Sequence, residues 1–208
     1  TMASKFRNGG QTCVCANRVL VHAAVHDDFA ARLGRAVSAL RTGPGMEPGV
    51  TIGPMINQPT ASKVRAHIDD ALAKGGRLLA SGSGREDGNF VLPTVIGGAT
   101  PDMICAAEET FGPMAPLYRF DHEAEALELA NATPYGLASY FYTRDLSRAF
   151  RVAERLEAGM VGLNTGSLAL EMAPFGGVKQ SGLGREGGQA GIEEYLETKA
   201  FHIGGLEL

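Results

Sequence analysis

The sequence predicts an α/β fold, a mostly parallel sheet with helices on both faces. Short runs of apolar and β-branched residues alternate with segments whose apolar residues recur every three or four positions. This alternation favours crossover connections, which join parallel strands. The size of the chain agrees, because 208 residues are enough for one large core that buries about 70% of the unfolded surface.

The first predicted elements are one strand followed by one helix. Residues 18–22 (RVLVH) are rich in branched apolar side chains, which is typical of a strand. Residues 26–40 follow helical spacing, and Asp27 or Asp28 marks the start of the helix. Its apolar face is formed by four residues: Phe29, Leu33, Val37 and Leu40.

A second helix is predicted over residues 59–76, after a loop rich in Gly and Pro. Pro59 suits its first turn, where the missing N–H would have no partner in any case. Gly75 favours its end, because glycine readily adopts the left-handed conformation found after a helix. The predicted apolar stripe consists of Val64, Ile68 and Leu72.

The alternation continues to the C-terminus. Six further strands are predicted, over residues 77–81, 90–96, 116–120, 137–143, 160–164 and 200–203. Three further helices are predicted, over residues 122–132, 145–159 and 189–199. Pro93 marks its strand as an edge or irregular one, since proline cannot donate to a ladder. Asp145 is the predicted N-cap of its helix, and Gly159 is the predicted terminator.

The composition excludes several classes of function. Hydrophobic residues make up 44% of the chain and charged residues 20%, which is typical of globular proteins. The net charge is −4 and no basic stripe occurs, so we expect no nucleic-acid partner. No apolar run could span a bilayer and no signal peptide is recognisable, which favours a cytoplasmic protein without membrane contact. Three cysteines, an odd number, favour a reducing compartment.

Two kinds of binding site are not supported by the residue spacing. The five histidines are scattered and the Cys-x-Cys pair lacks the spacing of zinc ligands, so we expect no metal. Residues 182–187 (GLGREG) match the glycine pattern of dinucleotide-binding loops. That pattern requires a preceding buried strand, whereas a polar, glycine-rich segment precedes it here. We interpret it as a turn before a helix.

Paired carboxylates occur twice along the chain. Glu193 and Glu194 lie in a predicted helix and are interpreted as a solvated face. Glu108 and Glu109 run directly into Phe-Gly-Pro, a loop pattern in which polar residues often have a function. On spacing alone, a functional and a structural interpretation of this second pair are equally supported.

Cys13 is the strongest candidate nucleophile. It follows Gly9 and Gly10, whose backbone amides can approach a ligand closely and favour a thiolate or a nearby oxyanion. Cys15 lies two residues on, on the same side of an extended strand, so a disulfide is conceivable but strained. Cys105 is interpreted as a buried packing residue. From these residues alone, Cys13 is a nucleophile, half of a redox couple or a packing residue.

Four segments, taken together, resemble motifs of the aldehyde dehydrogenase family. They are FRNGGQTCVCANR (6–18), similar to the nucleophile loop; TIGPMIN (51–57); EETFGP (108–113), similar to the nicotinamide-ribose loop; and PFGGVKQSGLGREGG (174–188). They occur in the order of the family and span essentially the whole chain. The Cys-x-Cys form of the first segment is most similar to succinate-semialdehyde dehydrogenases.

The resemblance implies a chemical role for three residues. Cys13 would attack the aldehyde carbon, giving a thiohemiacetal whose oxyanion is held partly by the Cys13 backbone amide. Hydride transfer to NAD or NADP would leave a thioester, which water hydrolyses. Glu109 would hydrogen-bond the nicotinamide ribose, with Phe111 packed beside it.

The resemblance also implies how a small semialdehyde is bound. Arg7 would hold the substrate carboxylate with its guanidinium fork, and Phe175 would line the aldehyde tunnel. Cys15 would act with Cys13 as a redox switch. Ala169 stands where the family has a serine that contacts the carboxylate, and an alanine side chain cannot donate a hydrogen bond. Succinate semialdehyde is the favoured substrate, and another such as glutarate semialdehyde is the alternative.

The implied domain organisation is that of part of a longer protein. Residues 1–195 would be the catalytic domain, truncated at its N-terminus, and residues 196–208 an oligomerisation strand of a homodimer or homotetramer. The cofactor-binding domain, a general-base glutamate and an oxyanion-hole asparagine would all precede the nucleophile loop. We therefore expect a fragment that is inactive alone, with the choice between NAD and NADP left open.

Two alternatives come from other classes of protein. One is a non-catalytic assembly module whose final strand pairs with a neighbouring subunit. The other is a thiol redox protein that uses Cys13 and Cys15.

Overall fold

The computed structural model describes residues 1–205, and within them the chain forms helices and strands in alternation. The helices are α1 (Met2–Lys5), α2 (His26–Ser38), α3 (Gln58–Ala73), α4 (Ile104–Ala107), α5 (Glu123–Asn131), α6 (Leu146–Arg155) and α7 (Ala190–Glu193). The strands are β1 (Val19–His22), β2 (Arg41–Thr42), β3 (Arg77–Ser81), β4 (Ser83–Gly84), β5 (Thr94–Gly97), β6 (Met114–Phe120), β7 (Tyr135–Gly136), β8 (Ala138–Phe141), β9 (Met160–Leu163) and β10 (Val178–Lys179).

A four-stranded sheet with the order β1-β6-β5-β3 forms the centre of the described chain. β1 and β5 both run parallel to β6, and β3 is antiparallel to β5. Three two-stranded sheets accompany it: β2 with β4 and β8 with β9, both parallel, and β7 with β10, antiparallel. The predicted α/β fold with a mostly parallel sheet is confirmed.

Helices cover both faces of the central sheet. α2 packs on one face, in a core of nine buried residues: Phe6, Val19, Val21, Leu33, Val37, Ile52, Val95, Ala115 and Leu117. α3 packs on the other, in a core that includes Ala61, Val64, Ala71, Ile96, Met114 and Tyr118. All four residues of β5 are buried, as expected of a strand with a helix on each side.

Three predicted features differ in detail. The strand predicted around Pro93 begins at Thr94 and lies between β3 and β6, so it is not an edge strand. A central position is possible because Pro93 lies just before the strand and has no place in its hydrogen-bond ladder. α6 has the predicted cap, with Arg148 N–H donating to the Asp145 carboxylate, but it ends at Arg155, well before Gly159. α2 starts at His26, which places both aspartates in its first turn.

The apolar stripe predicted for α3 is wrong at its C-terminal end. Leu72 is 38% exposed, whereas Ala71 is fully buried. At 3.6 residues per turn, Leu72 lies about 80° around the helix from Val64, and Ala71 only about 20°. His67 is also buried on this face, which the apolar pattern could not indicate.

The C-terminal segment departs most from expectation. The helix predicted over residues 189–199 is a single turn, α7. Residues 200–203 form no strand within the described chain, and residues 206–208 lie outside it. A strand that pairs only with a second subunit has no partner in a single chain, so the oligomerisation role of residues 196–208 stays a prediction. Among residues 1–205, no helix has the length and apolarity to cross a membrane.

Candidate active site

Cys13 lies in an exposed turn. The Cys15 N–H donates to the Thr12 carbonyl over 2.8 Å, which closes the turn, and β1 begins only at Val19. The prediction that Cys13 and Cys15 share one side of an extended strand is therefore wrong. The Cys13 side chain is exposed, that of Cys15 is half-buried, and both are free thiols. Exposure makes Cys13 accessible to a small electrophile.

Tyr140 on β8 holds this turn in place. Its hydroxyl donates to the Val14 carbonyl over 2.9 Å. The pKa of Tyr140 is raised to about 12, mainly by burial and then by Cys15 and Cys13, while Arg7 opposes the rise. The hydroxyl therefore stays protonated and remains a donor at neutral pH. The two thiols and the guanidinium all act on this one hydroxyl, which places them in the same part of the molecule.

Gln11 joins the nucleophile loop to the TIGPMIN segment. Its side-chain amide donates to the Pro54 carbonyl over 3.4 Å, and its side-chain oxygen accepts from the Ile56 N–H over 2.9 Å. Two of the four motifs recognised in the sequence thus meet through one side chain.

Gly10 joins the nucleophile loop to the EETFGP segment. Its φ is +78°, and a Cβ at this position would lie 2.2 Å from the Gly112 carbonyl oxygen. The two backbones touch because neither residue carries a side chain there. The glycine pair was predicted to allow the close approach of a ligand, whereas Gly10 makes a contact between loops.

The two carboxylates of the EETFGP segment have different surroundings. The Glu108 carboxylate lies 3.6 Å from Nε2 of the buried His67. The Glu109 carboxylate is exposed and has no hydrogen bond or ion pair within residues 1–205, while Lys63 Nζ donates to the Glu109 carbonyl over 2.5 Å. Partial burial raises the pKa of Glu109, and nearby Lys63 and Lys5 oppose this effect. Glu109 is thus the carboxylate that is free to accept from a ligand.

Phe111 and Phe175 occupy different surroundings. Phe111 lies two residues after Glu109, within the EETFGP segment. Its φ is +53° and its ring is half-buried. Phe175 pairs with Glu186 through two backbone hydrogen bonds of 2.7 Å. It lines a groove of about 610 Å³ together with Leu137 and Tyr195, and Cys13 is not among the residues that line this groove. The predicted tunnel role of Phe175 therefore stays a prediction.

Arg7 has an exposed side chain at the start of the nucleophile loop, and its carbonyl accepts from Cys15 Sγ at 3.8 Å. The loop that contains Ala169 approaches the same region, because a Cβ at Gly166 would lie 3.2 Å from the Ala3 side chain in α1. Ala169 itself is exposed. The structure thus places the serine-to-alanine difference in a loop that packs against the helix preceding Arg7.

The GLGREG segment forms turns, as interpreted from the sequence. Gly182, Gly184 and Gly187 all have positive φ values. The preceding strand β10 is a two-residue antiparallel pair with β7, so a buried parallel strand does not precede the glycines. The described residues contain no group of three or more His, Cys, Asp or Glu arranged to hold a metal ion.

Lys5 was not anticipated and is the largest fully buried polar side chain of the described residues, with 1% exposure. Burial lowers its pKa to about 8, and the neighbouring groups Cys15, Glu109 and Cys105 partly oppose this. The buried Lys5 amine is therefore close enough to Cys15 and Glu109 for their charges to affect its pKa. Lys5 could not be identified from the sequence because it precedes the motif, in the short helix α1.

Replacing Lys5 by methionine is expected to stabilise the protein at neutral pH. The folded-state pKa lies below the unfolded value of 10.5, so between pH 8 and 10.5 the unfolded state binds more protons and stability rises with pH. Below this window the burial of the charge is fully unfavourable, by about 3 kcal/mol. The measurement is urea unfolding from pH 7 to 10.5. At pH 7 the Lys5→Met variant should have a larger unfolding free energy than the parent protein, and the rise of this free energy with pH should be absent from the variant.

The matched control is Lys74→Met. Lys74 is partly exposed and pairs with Asp70 at 2.8 Å, so its loss should leave the pH-dependent rise intact. An unchanged rise in Lys5→Met as well would show that Lys5 is not the group responsible.

Residues 1–201 match the sequence model of the aldehyde dehydrogenase family over nearly the whole chain. The chain belongs to the aldehyde dehydrogenase family. It is 58% identical to 3-sulfolactaldehyde dehydrogenase of Pseudomonas putida, over 99% of this chain and 43% of that protein. It is 55% identical to the NADP(+) succinate-semialdehyde dehydrogenase of Escherichia coli K12, and 56% to a glutarate-semialdehyde dehydrogenase of Pseudomonas putida. The chain spans about two-fifths of the length of these relatives.

Solved structures of the aldehyde dehydrogenase family have the same fold. An aldehyde dehydrogenase from Brucella melitensis biovar abortus 2308 superposes with a TM-score of 0.92 at 58% identity, covering 95% of this chain and 41% of that one. An Escherichia coli NADP-dependent enzyme superposes with a TM-score of 0.91 at 55% identity, covering 94% and 41%. The family resemblance noted in the sequence is confirmed.

Proposed function

We propose that the protein containing this chain is an NAD(P)-dependent aldehyde dehydrogenase that oxidises a small semialdehyde through a thioester on Cys13. The observation that carries the proposal is the setting of Cys13, an exposed free thiol in a turn fixed by Tyr140. The loop that leads to it touches the Glu109 segment through Gly10. A nucleophile and a free carboxylate on two contacting loops suit a reaction between a bound aldehyde and a bound cofactor.

In this mechanism Cys13 supplies the nucleophile. Its thiolate adds to the aldehyde carbon, and the backbone N–H of Cys13 holds part of the resulting oxyanion. Loss of hydride from the tetrahedral carbon leaves a thioester, and water then releases the acid and restores the thiol. Tyr140 keeps the turn rigid during these steps, since its hydroxyl bonds the carbonyl of the next residue, Val14.

The residues of the EETFGP segment fit a nicotinamide dinucleotide. A free carboxylate such as that of Glu109 accepts hydrogen bonds from the vicinal hydroxyls of a ribose. The half-buried ring of Phe111 lies two residues on and can pack beside the sugar. When bound, the oxidised nicotinamide supplies the hydride acceptor. Either NAD or NADP agrees with these residues.

The substrate is proposed to be an aldehyde with an anionic group at its far end. The relatives are named for succinate semialdehyde, glutarate semialdehyde and 3-sulfolactaldehyde, each of which carries a carboxylate or a sulfonate. Arg7 provides the exposed guanidinium that such a group requires. Succinate semialdehyde is the favoured substrate. Because Ala169 stands where the family has a serine that contacts the carboxylate, the other two aldehydes remain alternative substrates. A panel of the three aldehydes ranks them by kcat/KM.

Arg7→Ala in the full-length enzyme is expected to raise KM for succinate semialdehyde by roughly 10- to 100-fold. This corresponds to the loss of a charge-assisted hydrogen bond of about 1.5–3 kcal/mol. The KM for butanal, which has no charged end, should change by less than about 2-fold. Steady-state kinetics with both aldehydes measures the difference.

Two variants control this experiment. Arg7→Lys keeps the charge without the planar fork, so an intermediate loss is expected. Arg32→Ala removes an exposed arginine of α2 that pairs with Asp28, and should leave both KM values unchanged. Equal losses for both aldehydes in Arg7→Ala would show a structural role and contradict carboxylate binding.

We also propose that Cys15 forms a reversible disulfide with Cys13 under oxidising conditions, and that the intact protein is a homo-oligomer. The position of both thiols in one hydrogen-bonded turn supports the first proposal. The match to the family, which extends to residue 201, supports the second.

A further inference from the structure

Asn17 connects the nucleophile loop to the segment that carries Glu109. It lies four residues after Cys13 and two before β1. Its side-chain nitrogen donates to the Cys105 carbonyl over 2.8 Å and to the Glu108 carbonyl over 3.1 Å. Its side-chain oxygen accepts from the Thr110 N–H over 2.9 Å. Both donor hydrogens and one acceptor site of the amide are therefore used.

These bonds enclose Glu109 on both sides. The carbonyl before it and the N–H after it are both bound by the one Asn17 amide. The backbone of Glu109 cannot rotate without breaking at least one of these bonds. Within residues 1–205, the Asn17 side chain provides the hydrogen bonds that run from residues 11–18 to the Glu109 segment.

The Glu109 segment is also anchored from α3. Lys63 Nζ donates to the Glu109 carbonyl, and His67 Nδ1 lies 3.1 Å from the Thr110 hydroxyl. These anchors do not involve Asn17, so the segment stays folded when Asn17 is replaced. The replacement removes the hydrogen bonds that fix the position of this segment relative to the nucleophile loop, which carries Cys13.

We propose that Asn17 is a positioning residue for the nicotinamide ribose, which it aligns with Cys13 by fixing Glu109. The inference rests on the proposed function, because it requires Glu109 to bind the cofactor. Asn17 is assigned no contact with substrate or cofactor, because the hydrogen bonds of its amide go to backbone groups. Its effect is transmitted through Glu109 alone, which distinguishes it from a residue that merely stabilises the fold.

A double-mutant cycle in the full-length enzyme tests this proposal. Asn17→Ala should raise KM for the dinucleotide on the order of 10-fold and change KM for the semialdehyde by less than about 2-fold. Glu109→Gln should raise KM for the dinucleotide at least as much. In the Glu109→Gln background, Asn17→Ala should add less than about 2-fold, because the two residues act in series.

Asn131→Ala is the matched control. Asn131 also bonds two backbone groups, donating to the Arg155 carbonyl over 2.8 Å and accepting from the Glu157 N–H over 3.0 Å. These two bonds tie α5 to the end of α6, and neither goes to the nucleophile loop. Its replacement should lower the melting temperature about as much as Asn17→Ala, with both KM values unchanged.

The outcomes distinguish the positioning role of Asn17 from the role of Glu109 in binding the cofactor. If Glu109→Gln raises KM for the dinucleotide and Asn17→Ala multiplies that increase, the positioning role is wrong and the function stands. The same conclusion follows if Asn17→Ala lowers only the melting temperature, as the control does. If Glu109→Gln leaves KM for the dinucleotide unchanged, the assignment of Glu109 falls, and the role of Asn17 falls with it.

Discussion

Cys13→Ala in the full-length enzyme is expected to abolish aldehyde oxidation, with kcat lower on the order of 10⁴-fold or more. The thioester cannot form without the thiol, and Cys15, the other thiol of the turn, is half-buried whereas Cys13 is exposed. Binding is expected to survive, since Arg7 and Glu109 are untouched. The measurement is dinucleotide reduction at saturating aldehyde, followed at 340 nm, with cofactor affinity determined separately.

The other two cysteines supply the controls for this variant. Cys15→Ala should retain kcat within about 3-fold, because Cys15 is assigned no step of the reaction. Cys105→Ala removes a fully buried thiol that lies 3.6 Å from the Tyr118 hydroxyl, so it should affect stability rather than turnover. Residual activity of Cys13→Ala within 10-fold of the parent enzyme would contradict the proposed nucleophile.

Gly10→Ala is expected to have the largest effect among single-methyl additions at the site. The new Cβ would lie 2.2 Å from the Gly112 carbonyl oxygen and 2.4 Å from its carbon, and the residue has a φ of +78°. The two loops must move apart, and an L-residue with this φ is strained. We expect a loss of about 3 kcal/mol or more in unfolding free energy, and a rise in KM for the dinucleotide on the order of 10-fold.

Gly45→Ala provides the comparison for Gly10→Ala. Gly45 has an ordinary φ, and a Cβ there meets no heavy atom within 4 Å. Its replacement should change the unfolding free energy by less than about 0.5 kcal/mol. If urea unfolding found the two variants equally stable, the nucleophile loop and the EETFGP segment would not touch as described.

The parts of the fold that depend on local pattern were predictable. β1, α2, α5, β8 and β9 lie where their periodicity placed them, because a strand or a helix repeats its buried face over a few residues. Position within the sheet was not predictable in the same way. Pro93 indicated an edge or irregular strand. The strand starts at Thr94 and is central, with an irregularity in its pairing with β3, since strand order depends on contacts between distant segments.

Residues of the candidate site could be predicted only where a motif assigns them a chemical role. Cys13 and Glu109 were predicted from their local segments and from the family resemblance, and their roles are proposals. Tyr140 and Asn17 were missed, because their partners lie 126 and 93 positions away in the chain. An asparagine or a tyrosine near a strand is common, and only the folded arrangement shows which backbone groups it binds.

The most direct test of the central claim is to trap the acyl group on the enzyme. The full-length protein would be mixed with succinate semialdehyde and oxidised dinucleotide, quenched in acid, digested with trypsin and analysed by mass spectrometry. Fragmentation of the peptide over residues 8–18, which contains both Cys13 and Cys15, locates the group. The account predicts a succinyl thioester on Cys13 that requires the dinucleotide. An acyl group on Cys15 or Cys105, or none during steady turnover, would contradict it.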